Sequence, residues 1–91
     1  MKEKHLIITD EAGLHARPAS KISKTAAEQK GEITLTYEGK AIDLKSILAV
    51  MSLAVPSGGE VSLSVEGGDE EAIMQKLLDA FKEQEIDIKE K

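Results

Sequence analysis

The alternation of apolar and polar residues along the chain predicts four strands and three helices. Apolar residues recur at every second position in the expected strands and at every third or fourth position in the expected helices. The strands are expected over residues 6–9, 33–37, 40–44 and 61–65, and the helices over 16–29, 46–55 and 70–83. Residues 84–91 are highly charged, and we expect this tail to fray.

The element order β-α-β-β-α-β-α favours an α+β fold of the split βαβ type. Such a chain usually forms an antiparallel sheet with helices covering one face. Four polar residues of the inner strands are then expected to face water on the open side: Thr34, Thr36, Ser62 and Ser64. A chain of 91 residues predicts a single domain, 1–91, with little room for a deep pocket. Function is therefore expected on the surface.

Local signals indicate where several elements begin and end. Proline is tolerated in a helix only within its first turn, so Pro18 predicts that the first helix begins at residue 15 or 16. Glu38-Gly39 predicts a two-residue hairpin turn. Ser46 is a favourable N-cap for the second helix.

Composition excludes several classes of function. The net charge of −5 and the aromatic content of 2% disfavour direct nucleic-acid binding, since both a basic surface and base-stacking platforms are missing. The absence of cysteine excludes disulfides and thiolate sites, and it suits the reducing cytosol. No stretch approaches the ~20 apolar residues of a membrane span, so we expect no membrane insertion. His5 and His15 lack paired-ligand spacing, so neither a metal nor a cofactor is expected.

The segment Gly13-Leu14-His15-Ala16-Arg17-Pro18 is the strongest candidate for chemistry. The free N–H groups and the dipole of a helix N-terminus favour an anion and disfavour an imidazolium, which would keep His15 neutral and nucleophilic. Arg17 could hold phosphate oxygens, and phosphoryl transfer requires mainly positioning and charge stabilisation. The alternative is that His15 only caps the helix and that Arg17 is a solvated surface residue.

The second helix is apolar on two sides. Ile47, Leu48 and Met51 share one side, whereas Val50 and Leu53 share the other. Only one side can face the core, so the other would form an exposed docking surface. The alternative is that loops cover both sides.

Ser46 would have a second role if it were phosphorylated. A phosphate at this position would be stabilised by the helix N-terminus and would place negative charge beside the apolar docking surface. The simpler interpretation is that Ser46 only caps the helix. His5 is interpreted as an ordinary strand residue without a functional role.

Two motifs together resemble the HPr family, the histidine phosphocarriers of the bacterial sugar phosphotransferase system. Gly13-Leu14-His15-Ala16-Arg17-Pro18-Ala19 is similar to the active-site motif of the family. Leu44-Lys45-Ser46-Ile47 with Val50-Met51-Ser52-Leu53 is similar to the regulatory serine segment of its Gram-positive members. The resemblance covers residues 3–83 and implies an open-faced sandwich of four strands and three helices.

The resemblance also implies roles for individual residues. His15 would accept a phosphoryl group on its δ nitrogen from enzyme I and pass it to the A domains of enzyme II permeases for sugar uptake. Arg17 would stabilise the phosphate. Ser46 would be phosphorylated with ATP by HPr kinase/phosphorylase, which would make the protein a corepressor for the catabolite-control repressor. In the repressor complex the expected contacts include Ile47, Leu48 and Met51, besides His15, Arg17 and Ser46. Apart from the resemblance, a cytoplasmic monomer is the simplest expectation.

Two alternatives remain open at this level. One is a purely regulatory HPr-like corepressor that acts through Ser46; relatives of that kind have replaced the histidine, whereas His15 is present here. The other is a small interaction domain without phosphoryl chemistry, which would not explain both motifs.

Ala12 departs from the family pattern, because serine, threonine or asparagine usually stands beside the histidine.

Overall fold

A computed structural model describes residues 1–14 and 16–91. In chain order the elements are β1 (Lys2–Ile8), α1 (Ala16–Ala27), β2 (Glu32–Tyr37), β3 (Lys40–Asp43), α2 (Ile47–Leu53), β4 (Glu60–Glu66), α3 (Glu70–Glu83) and β5 (Ile88–Glu90). The first seven correspond to the predicted strands and helices and keep their predicted order. The α+β class is therefore confirmed.

The strands form one antiparallel sheet in the order β3-β2-β4-β1-β5. Alternate residues of the central strands are buried, and Leu6, Leu35 and Leu63 have no exposed surface. The helices cover this apolar face, and α1 packs against both α2 and α3. The residues between them on the strands, including Thr34 and Ser62, point to the opposite face and are only partly buried. The molecule is thus an open-faced sandwich.

The core joins the sheet to the helices around one aromatic ring. Phe81 and Leu77 of α3 have no exposed surface, and Ile22 of α1 is 1% exposed. The apolar stripe of α3 faces inward, in agreement with the helical periodicity of the sequence, and comprises Ile73, Met74, Leu77, Leu78 and Phe81. Helix stability in such a small domain comes mainly from this packing rather than from intrinsic propensity.

The turn between β2 and β3 has the predicted form. Glu38 and Gly39 connect Tyr37 to its paired residue Lys40, and both have positive φ, 48° and 80°. Two consecutive positive φ values define a type I′ turn, whose twist matches that of the flanking strands.

The prediction of a four-stranded sheet with a frayed tail is wrong. Residues Ile88–Glu90 form a fifth strand that pairs with β1 through Leu6↔Glu90, Ile7↔Lys89 and Ile8↔Ile88. The physical reason lies in two isoleucines among the charges: Ile86 is buried and Ile88 packs against the core. The surrounding charges find partners across the sheet, since Lys4 pairs with Glu90 and Lys91 with Glu60.

Within residues 1–14 and 16–91, every helix falls short of the length and apolar character that a membrane crossing requires.

Candidate functional site at the entrance to α1

The loop between β1 and α1 is organised by Asp10. Its carboxylate accepts a hydrogen bond from the Ala12 N–H at 3.1 Å, and its carbonyl accepts one from the Gly13 N–H at 3.0 Å. An aspartate that binds the backbone two residues ahead forms an Asx turn, which holds the chain in a tight bend. The bend delivers Leu14, which is buried, to the entrance of α1.

Gly13 allows this loop to lie directly against the chain that follows α2. The Leu14 N–H donates to the Val55 carbonyl at 2.9 Å. A Cβ atom at Gly13 would lie only 2.4 Å from that same carbonyl oxygen and 2.9 Å from Pro56. Gly13 also has a φ of +67°, which disfavours any residue with a side chain. The entrance to α1 and the end of α2 are therefore joined.

The first turn of α1 favours an anion. It contains no acidic side chain, and Arg17 is exposed within it. By contrast, Asp69 caps α3 and is followed by Glu70 and Glu71 in its first turn. Free N–H groups and a cation at one helix end produce a positive potential that a phosphate would neutralise.

His15 lies outside the described residues, so its predicted role and contacts stay a prediction. Its neighbours along the chain agree with the predicted helix start. The helix begins at Ala16, and Pro18 lies buried in the first turn, where no intrahelical N–H bond is lost.

The apolar face of α2 is defined by Ile47, Leu48 and Met51, which are 44%, 84% and 42% exposed. Val50 and Leu53 occupy the opposite side of the helix and are buried. No loop in the described part of the chain covers the apolar face enough to bury it. Three large apolar side chains on one short helix form an unusual surface, because exposed apolar patches commonly mark sites of protein association.

Ser46 caps α2, as predicted. Its hydroxyl accepts a hydrogen bond from the Ala49 N–H at 3.3 Å, and the residue is exposed. The neighbouring Lys45 ammonium donates to the Gln29 carbonyl beyond the end of α1, at 3.1 Å. The N-cap of α2 is thus exposed, and the residue before it is anchored to the chain just beyond α1.

The end of α2 contains a feature that sequence reasoning missed. Ala54 adopts a left-handed conformation with a φ of 50°, and its N–H donates to the Met51 carbonyl at 3.3 Å. This reversal turns the chain so that Val55 is buried and its carbonyl meets Leu14. Glycine usually occupies this position of a helix end. An alanine gives no local signal that could have predicted it.

His5 remains without a functional assignment. It lies on the open face of the sheet, where Nδ1 is 3.0 Å from the Ser62 hydroxyl. The helical layer covers the other face of the sheet, so the sheet separates His5 from the entrance to α1.

The chain has an open-faced sandwich and a Gly-Leu-His-Ala-Arg-Pro motif that leads into its first helix. These two features together are those of the histidine phosphocarrier class. The sequence profile described as "PTS HPr component phosphorylation site" matches residues 2–83. The chain therefore belongs to the HPr family of the phosphotransferase system.

Solved structures of this family resemble the chain closely. The histidine-containing phosphocarrier protein of Mycoplasma is 34% identical, with a TM-score of 0.89 over 93% of this chain and 97% of that protein. HPr from Thermoanaerobacter tengcongensis is 39% identical, with a TM-score of 0.84 over 92% and 94%. Crh, the catabolite repression protein of Bacillus subtilis, is 38% identical, with a TM-score of 0.69 over 81% and 85%, and forms a domain-swapped dimer.

Proposed function

We propose that this protein is a phosphocarrier in which His15 accepts a phosphoryl group from phosphorylated enzyme I and passes it to enzyme II A domains for sugar uptake. The observation that carries the proposal is the first turn of α1, which has no acidic side chain and exposes Arg17. The same proposal includes action as a cytoplasmic monomer without a metal or cofactor.

The chemistry requires a neutral imidazole and a stabilised phosphate. The lone pair of one ring nitrogen forms a nitrogen–phosphorus bond while the bond between phosphorus and the donor group breaks. The second transfer reverses this sequence on the acceptor. Free N–H groups of the first turn and the Arg17 guanidinium stabilise the phosphate in both steps. Catalysis of this kind depends on positioning and electrostatics, which an exposed helix entrance can supply without a cleft.

The apolar face of α2 serves as the docking surface in this proposal. Donor and acceptor proteins must each reach the entrance to α1, and both can use the same exposed side chains, Ile47, Leu48 and Met51. A flexible thioether such as Met51 adapts to differently shaped partners. The join between Leu14 and Val55 keeps the docking surface and the entrance to α1 in a constant relation.

Phosphorylation of Ser46 is the proposed means of regulation. HPr kinase/phosphorylase would transfer phosphate from ATP to the hydroxyl that now accepts the Ala49 N–H. The modification adds a charge of about −1.5 to −2 next to the apolar face of α2. This charge would weaken docking of the transfer partners and create a site for the catabolite-control repressor.

A second candidate function is that of a purely regulatory corepressor that acts through Ser46. The similarity to Crh favours it, since that relative carries catabolite repression in its name. The presence of His15 and of Arg17 in the family motif favours the carrier.

Two phosphorylation reactions distinguish these functions. The protein is incubated with phosphoenolpyruvate and enzyme I, and separately with ATP and HPr kinase/phosphorylase. A carrier acquires acid-labile phosphate in the first reaction, and His15→Ala abolishes it. Acid-stable phosphate on Ser46 alone would mean that the protein is purely regulatory. Absence of both, with partners that phosphorylate a known HPr, would refute the proposal.

A charge introduced into the apolar face of α2 tests the docking surface. Met51→Glu should raise the KM of enzyme I for this protein about tenfold, equivalent to about 1.4 kcal/mol of binding free energy. Ala41→Glu adds the same charge at an exposed position of β3 and should leave KM unchanged. Equal KM values for the two variants would show that α2 does not contact enzyme I.

A further inference from the structure

The C-terminal residues 84–91 extend beyond the part of the chain that the family profile matches, which ends at residue 83. They are nevertheless built into the fold. Ile86 is buried, its N–H donates to the Phe81 carbonyl at 3.0 Å, and β5 adds an outer strand beside β1. The Lys91 N–H donates to the His5 carbonyl at 2.9 Å and closes the far end of this pairing.

The segment contacts the loop that leads to α1 through one carbonyl group. The Asp87 carbonyl oxygen accepts the Thr9 N–H at 2.8 Å and the Asp10 N–H at 3.1 Å. A carbonyl has two lone pairs, so one oxygen can satisfy both donors. Asp10 is also the residue whose carboxylate and carbonyl form the turn before Leu14. The tail therefore holds the residue that organises the loop.

The loop is also held from the side opposite to the tail. At the far end of the loop the Leu14 N–H donates to the Val55 carbonyl, and just before the loop the N–H of Ile8, the last residue of β1, donates to the Gly59 carbonyl, both at 2.9 Å. Of these attachments, only the Asp87 carbonyl reaches the beginning of the loop at Thr9 and Asp10. Without it, two neighbouring amides would lose their protein acceptor and the turn would depend on its own internal hydrogen bonds.

We propose that residues 86–90 act as a positioning strap, which holds the loop at Thr9 and Asp10 and thereby sets the entrance to α1 for phosphoryl transfer at His15. This inference rests on the proposed function. A loop that is ordered before the reaction need not lose conformational freedom during it, and catalysis by positioning is sensitive to small displacements. The strap acts through the loop and does not touch the phosphoryl group, so its residues are positioning residues.

A variant that ends at Glu85 removes the strap and leaves α3 complete. We expect the amide hydrogens of Thr9 and Asp10 to exchange at least tenfold faster than in the full chain, while the Leu63 amide in the central strand stays protected. With enzyme I in steady state, kcat for this protein should fall about tenfold. KM should stay unchanged, because the apolar face of α2 is intact. Ile86→Ala, which shortens the buried anchor and keeps the Asp87 carbonyl, should produce the same changes at a smaller size.

A core variant controls for general loss of stability. Val65→Ala lies on β4 opposite Lys2, at the end of β1 remote from the loop, and removes buried apolar volume. Ile86→Ala and Val65→Ala are compared under conditions in which their free energies of unfolding are equal. Under these conditions Val65→Ala should keep the kcat of the full chain and its exchange rates at Thr9 and Asp10. An equal fall in kcat for both variants would show that the tail contributes stability only, and would overturn the proposal.

The other outcomes are also decisive. The strap is overturned if the Thr9 and Asp10 amides of the shortened variant exchange no faster than those of the full chain. If the shortened chain fails to fold, unchanged exchange at these amides in Ile86→Ala overturns it instead. A rise in KM with constant kcat would assign the tail to partner docking and overturn the positioning role. Failure of the full chain to accept phosphate would refute the proposed function itself, whereas the exchange measurement needs no enzyme I and still decides whether the tail holds the loop.

Discussion

Replacing Gly13 with alanine tests the join between the loop before α1 and the chain after α2. Two penalties follow from the geometry. A side chain at a φ of +67° costs about 1–2 kcal/mol in backbone energy. The new methyl group would also lie 2.4 Å from the Val55 carbonyl oxygen and 2.9 Å from two Pro56 backbone atoms. Backbone atoms cannot rotate away from such a contact, so the loop itself must move.

Movement of the loop breaks the hydrogen bond from Leu14 to Val55, which is worth about 1 kcal/mol. Alanine also restricts the unfolded chain relative to glycine, and this offsets about 0.4–1 kcal/mol. We therefore expect Gly13→Ala to lower the free energy of unfolding by about 2 kcal/mol, the balance of terms on the order of 1 kcal/mol each. The displaced loop should also reduce kcat for phosphoryl transfer from enzyme I.

Gly39→Ala is the matched control. Its φ of +80° imposes a similar backbone penalty, but no atom lies within 4 Å of the position a Cβ would take. This variant should lose only about half as much stability as Gly13→Ala, and its phosphoryl transfer should be normal. Urea unfolding measures the difference in free energy of unfolding between the two variants, provided that their m-values are equal. Equal losses would refute the argument that the close approach to Val55, rather than the positive φ, is the reason for glycine at position 13.

Three further changes test single features of the fold. Ser23→Ala should raise the free energy of unfolding by about 1 kcal/mol in urea, because the buried Ser23 hydroxyl has no hydrogen-bond partner in the described part of the chain; a loss of stability would mean that this hydroxyl is satisfied. Ser46→Ala should lower it by about 1 kcal/mol through loss of the N-cap, whereas Ser46→Asp should retain most of the stability. The hydrogen bond and charge of Lys4 hold the pKa of Glu90 below its ordinary value of 4.5. Because the folded-state pKa is lowered, ionised Glu90 stabilises the fold above the ordinary pKa, and this stabilisation is lost as the pH falls through the folded-state pKa. Glu90→Gln should therefore be less stable than the parent protein at neutral pH and equally stable in acid. A difference in stability that persists in acid would contradict the assignment.

Sequence reasoning predicted the order of the first seven elements because each has a strong local signal. The apolar stripe of α3 and the alternating residues of β2 and β4 are buried as the periodicity required. The turn at Glu38-Gly39 and the cap at Ser46 depend only on neighbouring residues, so they too could be predicted. The strand β5 could not be predicted, because Ile86 and Ile88 are the only apolar residues in a charged tail and two apolar residues do not make a recognisable pattern.

The candidate site divides in the same way. The motif around His15 and Arg17, and the apolar residues of α2, could be recognised from the sequence, and they led to the correct family. The exposure of Ile47, Leu48 and Met51 needed the structure, because the sequence allowed loops to cover them.

The sequence by itself determined the α+β class, the family and the residues proposed to carry phosphate, since these depend on short motifs and local periodicity. Only the tertiary structure decided how the entrance to α1 is held. Gly13 meets Val55, and Asp87 receives the amides of Thr9 and Asp10, across long stretches of intervening chain. These contacts join backbone atoms, whose hydrogen-bonding groups are the same in nearly every residue. The side chains therefore give no sign of them until the chain is folded.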